Sequence, residues 1–537
     1  MRAADLLIQT LAELGTKHIF SLSGNQIMPI YDAWIDSDIN LIHVRHEAAA
    51  VHMADAWGRL TGTPGVVLIA GGPGFANGLS AMYVAKMAES PIVVLSGHVG
   101  LSLIGKGMFQ EMKQAEMAVP VSKQSTLLQD ANEIGNAVRE AFAVALAGRP
   151  GPVHLSLPSD LLEMEVDVAQ TAVSPPPSSL PTLDSTEQDT LLKAVQAAKR
   201  PLVLAGPAVM RTESYQTAQA SLAAANLPLI GMESPRGVHD PSLGAFAQVL
   251  RQADLLVLLG KKIDFTLRFG ESPFVDFGTQ IVQVDADSDV LELTQRNGAG
   301  LELLQLTQAN PIVALEQVGQ AAPQLACDAE WAATVAEAVA FMPPEWRELH
   351  SEAGEPLHSA EVGQAIHDYL AGGEDSVLIS DGGEFGQWMQ AFVKPAQRVI
   401  NGLSGSIGNA VPFGLAARLA FPESRIVACS GDGAFGFQPF EMETAVRHNI
   451  PFTVVIGNDA LWNAEYQIQL RTYGPDRVKG VTLNRTNYHQ VVEVLGGWGQ
   501  QVTDVSALEN ALVAAEESGV PACINTIIRG EAAPKIE

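Results

Sequence analysis

The sequence contains few cysteines and few cationic residues. Three cysteines among 537 residues, Cys327, Cys429 and Cys523, cannot form a disulfide framework or a four-thiolate metal site. Lysine and arginine number 32 against 60 aspartates and glutamates, so the formal net charge is −28. Because phosphate backbones and anionic lipids require a cationic face, this balance argues against nucleic acid and an acidic membrane surface as partners. It does not exclude a small anionic ligand, since a local site can be electropositive within an acidic chain.

Long uninterrupted apolar runs are also missing. The longest charge-free stretches, residues 64–85 and 401–417, are interrupted by glycines and prolines, so we expect no membrane span. The first fifteen residues form an amphipathic helical pattern containing Asp5 and Glu13, without the continuous apolar core of a signal peptide. Hydrophobic residues make up 47% of the chain, which is enough for a large core. The sequence therefore predicts a cytoplasmic globular protein.

Short apolar, β-branched runs alternate with helical patterns along the chain. Continuous apolar strands separated by helices are typical of parallel sheets covered on both faces. Proline-rich stretches at 165–187 and 322–358 divide this pattern, so we expect three doubly wound α/β domains at 1–165, 187–322 and 356–530. Ligands of such sheets bind at the carboxyl ends of the strands. The predicted strands are 18–22, 41–44, 65–70, 91–97 and 153–158 in the first domain, 201–206, 255–260 and 281–286 in the second, and 376–381, 425–433, 452–459 and 522–528 in the third.

Two acidic residues follow neighbouring predicted strands of the third domain. Asp432 lies in a GDG sequence after the strand RIVACS, ahead of a helix predicted from about Gln438, and Asp459 ends the next strand. Two carboxylates at one sheet edge suit Mg²⁺ or Ca²⁺, which prefer oxygen ligands and retain water and phosphate oxygens. The flanking glycines allow backbone N–H groups to approach a phosphate. Taken alone, GDG is equally explained as a tight turn with an aspartate cap, and the second acid favours a site.

In the first domain, Glu47 begins a predicted helix directly after the strand LIHV. An acid in the first helical turn is often only a favourable partner of the helix dipole. The strand GVVLIA follows this helix and ends in the glycine-rich sequence GGPGFANG at 71–78. Pro73 interrupts that sequence, and no acidic residue ends a strand about 20 residues later, so we reject a nicotinamide-binding site.

The order of these motifs resembles a known family. RHEAAA around Glu47 is followed by GGPGFAN, GHVGLSLIGKGMFQEMKQ, GSIGNAVPFGLAAR, and GDG with ND after the next strand. This order is similar to that of thiamin-diphosphate-dependent enzymes of the acetolactate synthase and decarboxylase group, over nearly the whole chain. The resemblance implies a pyrimidine-binding domain at 1–165, a central domain at 187–322 and a diphosphate-binding domain at 356–530.

The resemblance assigns cofactor roles on the pyrimidine side. Glu47 matches the glutamate that hydrogen-bonds the pyrimidine ring, so that the 4′-nitrogen takes the proton from C2 of the thiazolium. Gly74 and Asn77 match the loop around the pyrimidine. Ile407 matches the apolar residue that bends the cofactor, and the Gly405 carbonyl matches the acceptor of its 4′-amino group.

The resemblance also implies an Mg²⁺ site that anchors the diphosphate. Asp432, Asp459 and the main-chain carbonyl of Leu461 match its ligands, although the family usually has asparagine where Asp459 stands, which leaves the metal preference open. The loop 382–386 should help to hold the diphosphate. The remaining predicted cofactor contacts on this side are Gly382, Glu384, Gly431, Gly433 and Ala434.

The substrate residues are predicted from subfamily similarities. Phe109 and Gln110 belong to an FQE segment like that of acetolactate synthases, where Gln110 would reach a substrate carbonyl or the hydroxyl of the enamine. Its alternative interpretation is a surface glutamine. Asn25 and Gln26 occupy the stretch where benzaldehyde lyase has an active-site histidine. We expect Trp462, Ala464 and Glu465 to line the mouth of the pocket, although Trp462 equally fits a core position.

Three thiamin reactions remain open. Biosynthetic acetolactate synthases bind a structural flavin through a loop of the middle domain. Residues 231–246 of this chain do not match that loop, so we expect no flavin. The segment 457–492 is similar to benzaldehyde lyase, and 431–444 and 253–270 resemble 2-hydroxyacyl-CoA lyases and oxalyl-CoA decarboxylases. Against a CoA enzyme, the tail after the last strand is short, although Arg529 and Lys535 could contact phosphate.

The preferred hypothesis is an acetolactate-synthase-like carboligase or lyase acting on 2-oxo acids or 2-hydroxy ketones through an enamine. The alternative is a 2-hydroxyacyl-CoA lyase. In this family the glutamate-bearing domain of one subunit faces the diphosphate domain of another. We therefore expect at least a homodimer, and more specifically a dimer of dimers, with a small-molecule substrate.

Overall fold

Three parallel β-sheets organise the chain. They are seen in a computed structural model that describes residues 1–167, 180–373 and 375–536. The chain divides into two units, one formed by Met1–Pro177 with Leu349–Ala533 and the other by Ser178–Glu348 with Pro534–Glu537. Most of the linker predicted at 165–187 lies outside the described residues. None of the helices in the described ranges is long and apolar enough to cross a membrane.

The first sheet has the strand order β2-β1-β3-β4-β6-β5, and every neighbouring pair is parallel. Its strands are β1 His18–Leu22, β2 Asn40–His43, β3 Gly65–Ile69, β4 Ile92–His98, β5 Gln124–Leu127 and β6 Pro152–Pro158. The helices of this part are α1 Ala3–Glu13, α2 Met28–Trp34, α3 Glu47–Thr61, α4 Pro73–Met87, α5 Gln114–Ala118, α6 Ile134–Leu146 and α7 Ser159–Leu162.

The second sheet has the order β11-β10-β9-β7-β8 and is also parallel throughout. Its strands are β7 Pro201–Ala205, β8 Leu229–Gly231, β9 Leu255–Leu259, β10 Gln280–Asp285 and β11 Glu302–Gln308. The helices of this part are α8 Ser185–Ala197, α9 Pro207–Met210, α10 Glu213–Ala224, α11 Phe246–Leu250, α12 Ser288–Asn297, α13 Pro311–Ala321 and α14 Ala329–Ala340.

The third sheet belongs to the same unit as the first and has the order β13-β12-β14-β15-β17-β16, again all parallel. Its strands are β12 Ser376–Ser380, β13 Gln397–Ile400, β14 Arg425–Gly431, β15 Thr453–Asn458, β16 Trp498–Val502 and β17 Ala522–Ile527. The helices of this part are α15 Ser359–Ala371, α16 Gly383–Phe392, α17 Ala410–Ala420, α18 Asp432–Phe435, α19 Glu441–Arg447, α20 Asn463–Tyr473, α21 Tyr488–Val494 and α22 Val505–Glu517.

The three-sheet α/β architecture expected from the sequence is confirmed. All twelve predicted strands are present, with ends within two residues of those expected. Five further strands, β5, β8, β11, β13 and β16, were not predicted, and each lies at the edge of its sheet. Edge strands are only partly buried, so their sequences lack the continuous apolar run that marks a central strand. The domain boundaries 1–165, 187–322 and 356–530 stay predictions.

The first and third sheets share one hydrophobic core. Helix α3 packs against α17, and both present small residues at the contact, including Ala49, Ala54 and Ala416, which allow a close approach. Helix α3 ends at Gly62, whose φ of 70° is the left-handed conformation that favours glycine at a helix end. This packing fixes the start of α3, and therefore Glu47, relative to the third sheet of the same chain.

A buried ion pair lies inside that contact. The guanidinium of Arg59 donates to both carboxylate oxygens of Asp55 and also to the main-chain carbonyl of Ile400 at the end of β13. The side chains of Arg59 and Asp55 are 4% and 0% exposed. Arg59 also lies over the Phe413 ring of α17, 5.1 Å from its centroid. One arginine therefore links the first sheet's helix to the third sheet's edge and helix.

Replacing Arg59 with methionine should destabilise the protein by about 3–5 kcal/mol, because the Asp55 carboxylate would stay buried without a partner. The measurement is the free energy of unfolding in urea. The matched control is Lys193→Met, which breaks an exposed pair with Asp189 and should cost less than ~1 kcal/mol. The double variant Arg59→Met/Asp55→Leu should recover part of the loss. Equal effects of Arg59→Met and Lys193→Met would contradict the role given to the buried pair.

Candidate active site

The carboxyl edge of the third sheet brings together the two predicted acidic ligands. Strand β14 runs directly into α18, whose first residue is Asp432, and β15 ends one residue before Asp459. Because β14 and β15 are paired neighbours, both carboxylates leave the sheet at one point. The helix expected from about Gln438 is wrong: α18 stops at Phe435 and α19 begins at Glu441. Pro439 lies in this break, and proline is tolerated only near a helix start.

The two carboxyl groups form an electrostatically unfavourable pair. Burial raises the pKa of both, and the charge of Asp432 raises the pKa of Asp459 further. One oxygen of Asp432, Oδ2, is buried and has no hydrogen-bond partner among the described residues. An unpartnered carboxylate oxygen beside a second carboxylate is a good ligand for a hard cation, which would relieve both the burial cost and the repulsion.

The segment after Asp459 is held in a strained turn. Ala460 has a φ of 61°, a left-handed conformation that is unusual for a residue with a side chain. The carboxylate of Asp459 accepts a hydrogen bond from the Leu461 N–H at 3.0 Å, which closes the turn. Backbone hydrogen bonds from Trp462 to Val481 and from Leu483 to Ala460 hold the segment from outside. The turn therefore fixes the main chain at Leu461, where a carbonyl ligand is predicted.

Trp462 packs on the GDG sequence rather than in the core. It is half-buried, and a Cβ added to Gly433 would lie 2.8 Å from two of its ring atoms, so only glycine fits there. Phe437 meets the same ring edge-on, with centroids 6.1 Å apart. Ala464 and Glu465 follow in the first turn of α20, and Glu465 is exposed. Trp462 thus lies at the rim of the candidate site.

Asp381, which follows β12, links three segments of the candidate site. Its carboxylate is fully buried and accepts hydrogen bonds from the N–H groups of Gly382 at 2.9 Å and Gly408 at 3.1 Å, and from the Ser430 hydroxyl at 3.1 Å. A longer one comes from the Ala410 N–H at 3.4 Å. Burial raises the pKa of Asp381 to about 6. Asp381 is not among the residues predicted from the sequence, although, like Asp432, it is an acid at the carboxyl end of a buried strand.

Glycines leave open space around this edge. A Cβ at Gly383, Gly405 or Gly431 would meet nothing within 4 Å, so their backbone groups are accessible to a ligand. By contrast, a Cβ at Gly382 would lie 2.7 Å from Cγ2 of Ile407. Ile407 therefore packs over Gly382 and stays half-buried, with part of its side chain available to a ligand.

The predicted loop 382–386 is the start of a helix. Helix α16 begins at Gly383, so the free N–H groups of its first turn point out of the helix end. Glu384 is buried in this turn, and its carboxylate accepts a hydrogen bond from the Gln387 side chain at 3.0 Å. A carboxylate would repel a diphosphate, so the main-chain N–H of Glu384 is the group suited to bind one. Ala434, in α18, is likewise buried.

The first domain brings together the three residues predicted for the pyrimidine. Glu47 begins α3, and the Asn77 side chain donates to its carboxylate at 2.9 Å. A Cβ added to Gly74 would lie 3.0 Å from the other carboxylate oxygen. Gly74 and Asn77 were predicted on a loop, but they lie in the first turns of α4, which begins at Pro73, a residue well tolerated at a first helical position.

The predicted substrate residues form a second cluster in the first domain. The Gln26 side chain, in a short 3₁₀ turn at Asn25–Ile27, donates to the Gln110 side-chain carbonyl at 2.9 Å. Asn25 is exposed, and Phe109 is 73% exposed. Within one chain, the described hydrogen bonds do not connect Glu47 or this cluster to the Asp432–Asp459 pair. The predicted cofactor residues therefore form two separate groups in a single chain.

Comparisons with known proteins place the chain in a family. The family described as "Thiamine pyrophosphate enzyme, N-terminal TPP binding domain" matches residues 1–117, and "Thiamine pyrophosphate enzyme, C-terminal TPP binding domain" matches residues 381–526. A probable acetolactate synthase of Mycobacterium bovis is 30% identical, over 98% of this chain and 96% of that protein. The chain belongs to the thiamine pyrophosphate enzymes. Thiamine pyrophosphate is another name for thiamin diphosphate.

Further matches locate this thiamine pyrophosphate enzyme within the family. A 2-hydroxyacyl-CoA lyase 2 of Danio rerio is 28% identical, over 98% of this chain and 91% of that protein. The solved structure of a thiamine diphosphate-dependent 4-hydroxybenzoylformate decarboxylase from Rhodococcus jostii RHA1 has the same fold, with a TM-score of 0.81, 20% identity, and coverage of 99% of this chain and 100% of that one. The enzyme thus belongs to the group that contains acetolactate synthases and 2-hydroxyacyl-CoA lyases.

The residues of this thiamine pyrophosphate enzyme fit a diphosphate and a hard cation. The open glycine positions 383, 405 and 431 make a cradle that side chains would fill, and Oδ2 of Asp432 lacks a partner. The described residues contain no group of three or more histidine, cysteine, aspartate or glutamate side chains suited to a metal. A cation at this edge would therefore combine two carboxylates with main-chain, water or phosphate oxygens.

Replacing Asp459 with asparagine should stabilise the apoprotein, because it removes one of two adjacent buried charges. The raised pKa of Asp459 means that the pair is fully charged, and most costly, only above that pKa. In EDTA at pH 8 the melting temperature should therefore rise by ~2–4 °C, and the gain should shrink at pH 5, where the parent pair is protonated. Asp476→Asn, at an exposed position, is the control. A gain that grows on acidification would contradict the paired-charge interpretation.

Replacing Asp381 with asparagine should weaken cofactor binding, since an amide NH₂ would then face the N–H donors of Gly382 and Gly408. We expect the dissociation constant for thiamin diphosphate, measured by titration, to increase at least tenfold. The free energy of unfolding should fall by about 1–3 kcal/mol. Asp36→Asn changes an exposed aspartate and should alter neither quantity. Unchanged cofactor affinity in Asp381→Asn would show that the three segments are held without this carboxylate.

Proposed function

We propose that the chain is a thiamin-diphosphate- and Mg²⁺-dependent carboligase or lyase that makes or breaks a C–C bond beside the carbonyl of a 2-oxo acid or a 2-hydroxy ketone. The observation that carries the proposal is the Glu47 carboxylate, held at the start of α3 by Asn77 and faced by the bare backbone of Gly74. This is the arrangement that the family's acid–base glutamate requires. Both halves of the cofactor site retain their acidic residues, which argues against a binding subunit without chemistry.

Each half of the site has a separate task. When bound, thiamin diphosphate would supply a nucleophilic carbon and a cationic ring that can take up an electron pair. Glu47 would exchange a proton with a ring nitrogen of the pyrimidine, and the Asn77 amide keeps its carboxylate aimed. Ile407, packed over Gly382, would contact the cofactor and help to hold it bent. The carbonyl of Gly405 would accept from its amino group.

The third-sheet edge would hold the diphosphate. Asp432, Asp459 and the carbonyl of Leu461 would bind Mg²⁺, whose charge neutralises both the carboxylates and the phosphate oxygens. Main-chain N–H groups at the starts of α16 and α18 would bind phosphate oxygens directly, because these are the free donors of a helix end. The residues in this role are Gly382, Glu384, Gly431, Gly433 and Ala434.

The substrate would bind near the glutamine pair. Gln26 and Gln110 are neutral hydrogen-bonding groups, which suit a carbonyl oxygen without requiring a charged substrate. Phe109, Asn25, Trp462, Ala464 and Glu465 would line the approach. The cytoplasm, as expected from the composition, is the proposed location.

A complete site would need a second chain. The family resemblance implies that Glu47 of one chain faces the Asp432 edge of another, so we propose a homodimer, assembled further into a dimer of dimers. Large apolar side chains near both halves support this, since Phe109, Phe437 and Phe440 are each more than half exposed. Exposed aromatic residues of this kind are enriched where partner chains bind.

A second candidate is a 2-hydroxyacyl-CoA lyase. The observation that favours it is a groove of about 280 Å³ in the Ser178–Glu348 unit, lined by His239 and by the cationic side chains of Arg251 and Lys535. Phe274, which meets His239 edge-on, adds an aromatic face. Cationic and aromatic groups together suit a nucleotide diphosphate. Arg529, the other residue considered for phosphate, is paired with Glu531.

The deciding experiment is a substrate panel with and without the proposed acid. Parent and Glu47→Gln would be assayed with pyruvate, benzoin, a 2-hydroxyacyl-CoA, and formyl-CoA with an aldehyde. Glu47→Gln should lose at least 10²-fold in turnover while binding thiamin diphosphate within a few-fold of the parent, as followed by circular dichroism.

Glu116→Gln, at an exposed position of α5, is the matched control and should keep full activity. Turnover of pyruvate or benzoin would support the first proposal, and turnover confined to the CoA substrates would support the second. Equal rates in parent and Glu47→Gln would remove Glu47 from the mechanism.

A further inference from the structure

The glutamine pair Gln26–Gln110 has a defined polarity. The NH₂ group of Gln26 donates to the side-chain carbonyl of Gln110, with 2.9 Å between Nε2 and Oε1. That bond occupies the acceptor end of the Gln110 amide. Among the described residues, its Nε2 has no hydrogen-bond partner, so the donor end is the one left for a ligand.

The orientation of Gln26 is set by the backbone at Gly71. The Gly71 N–H donates to Oε1 of Gln26 at 3.4 Å, and Gln26 is only 6% exposed. A reversed Gln26 amide would place its NH₂ against this N–H and leave two buried donors facing each other, which is costly. Close packing adds to the constraint, since a Cβ on Gly97 would lie 2.7 Å from Cβ of Gln26.

The neighbouring Gln114 follows the same logic. Its Oε1 accepts from the Gly72 N–H at 3.1 Å, while its Nε2 donates to the hydroxyls of Ser96 and Ser156 and to the carbonyl of Gly97. Two consecutive backbone N–H groups therefore each orient one glutamine carbonyl. The glycine-rich segment sets the direction of both amides.

The main chain of Gln110 is also constrained. Its φ of 62° is left-handed. A Cβ on Gly72 would lie 2.7 Å from the main-chain carbonyl oxygen of Gln110, so the two segments are in close contact. The adjacent Glu111 carboxylate accepts from the N–H groups of Gly105, Gly107 and Met108 and closes the loop on itself. A strained, clamped residue with one open hydrogen-bonding end is the arrangement expected at a binding site.

We propose that Gln26 is a positioning residue, which orients the Gln110 amide so that its NH₂ group, rather than its side-chain carbonyl, faces the substrate. The inference rests on the proposed function, in which Gln110 contacts the substrate, and it specifies the kind of substrate atom that Gln110 binds. The group bound by Gln110 is an oxygen acceptor, either the carbonyl of a ketone or the carboxylate of a 2-oxo acid, rather than a hydroxyl acting as donor. A site built as a donor discriminates strongly against a group that lacks an acceptor.

The test is a double-mutant cycle between Gln26→Glu and Gln110→Met. A glutamate at position 26 still accepts from Gly71 but can no longer donate, so the Gln110 amide should turn and present its carbonyl to the substrate. We expect at least a tenfold loss in kcat/KM for a neutral hydroxy ketone. In the Gln110→Met background there is no amide to turn, so Gln26→Glu should cost threefold or less. Comparing the two backgrounds also cancels the direct effect of the new charge.

A binding measurement accompanies the kinetics. Dissociation constants of the hydroxy ketone would be measured on protein loaded with an unreactive thiamin diphosphate analogue, where Gln26→Glu should bind at least tenfold more weakly than the parent. Gln26→Met, which removes the orienting bond without reversing it, should fall between the two. Gln129→Glu adds the same charge at an exposed position and should match the parent.

Three outcomes would overturn the proposal. Equal effects of Gln26→Glu in both backgrounds would show that Gln26 does not act through Gln110. Loss of analogue binding in Gln26→Glu would show a structural role instead. A parent that binds the cofactor but reacts with no member of the substrate panel would remove the proposed function, and this inference with it.

Discussion

The third-sheet edge of the candidate site depends on one buried carboxylate, that of Asp381. Asp381 directly follows β12. Its carboxylate accepts hydrogen bonds from the start of α16, from the glycine-rich segment before α17 and the first residue of α17, and from the end of β14. Burying a carboxylate is costly unless several donors hydrogen-bond it. Moving any of these three segments would break a hydrogen bond to the buried carboxylate, so Asp381 holds the segments in place.

Much of the fold follows from the sequence because burial on both faces imposes a visible pattern. Central strands such as β9 and β15 are continuous apolar runs, and each was located to within two residues. Edge strands do not obey that constraint. The first four residues of β11 alternate between exposed and half-buried positions, and β16 has glutamine at two of its five residues, so neither shows a continuous apolar run. Their place in the sheet is decided by pairing with a neighbour, which a single sequence does not record.

Some residues of the candidate site could likewise be predicted from the sequence, whereas the contacts between distant segments could not. Asp432 and Asp459 were found because each lies at the end of a buried strand, and Glu47 because it begins a helix soon after the edge strand β2. Gln26 and Gln110 are 84 residues apart in the sequence and lie in two irregular segments. No local sequence pattern therefore predicts their contact. The amide polarity depends on a third segment, at Gly71. Distant hydrogen bonds of this kind emerge only from the assembled sheet.

The positions of the three cysteines determine how readily their thiols react. Cys429 on β14 and Cys523 on β17 flank β15 in the third sheet, are fully buried, and have thiol pKa values raised by burial. Cys327, half-buried, belongs to the other unit. Protonated, enclosed thiols react slowly with alkylating reagents. The labelling rates of Cys429 and Cys523 would therefore follow opening of the third sheet, so the native chain carries its own probes of local unfolding.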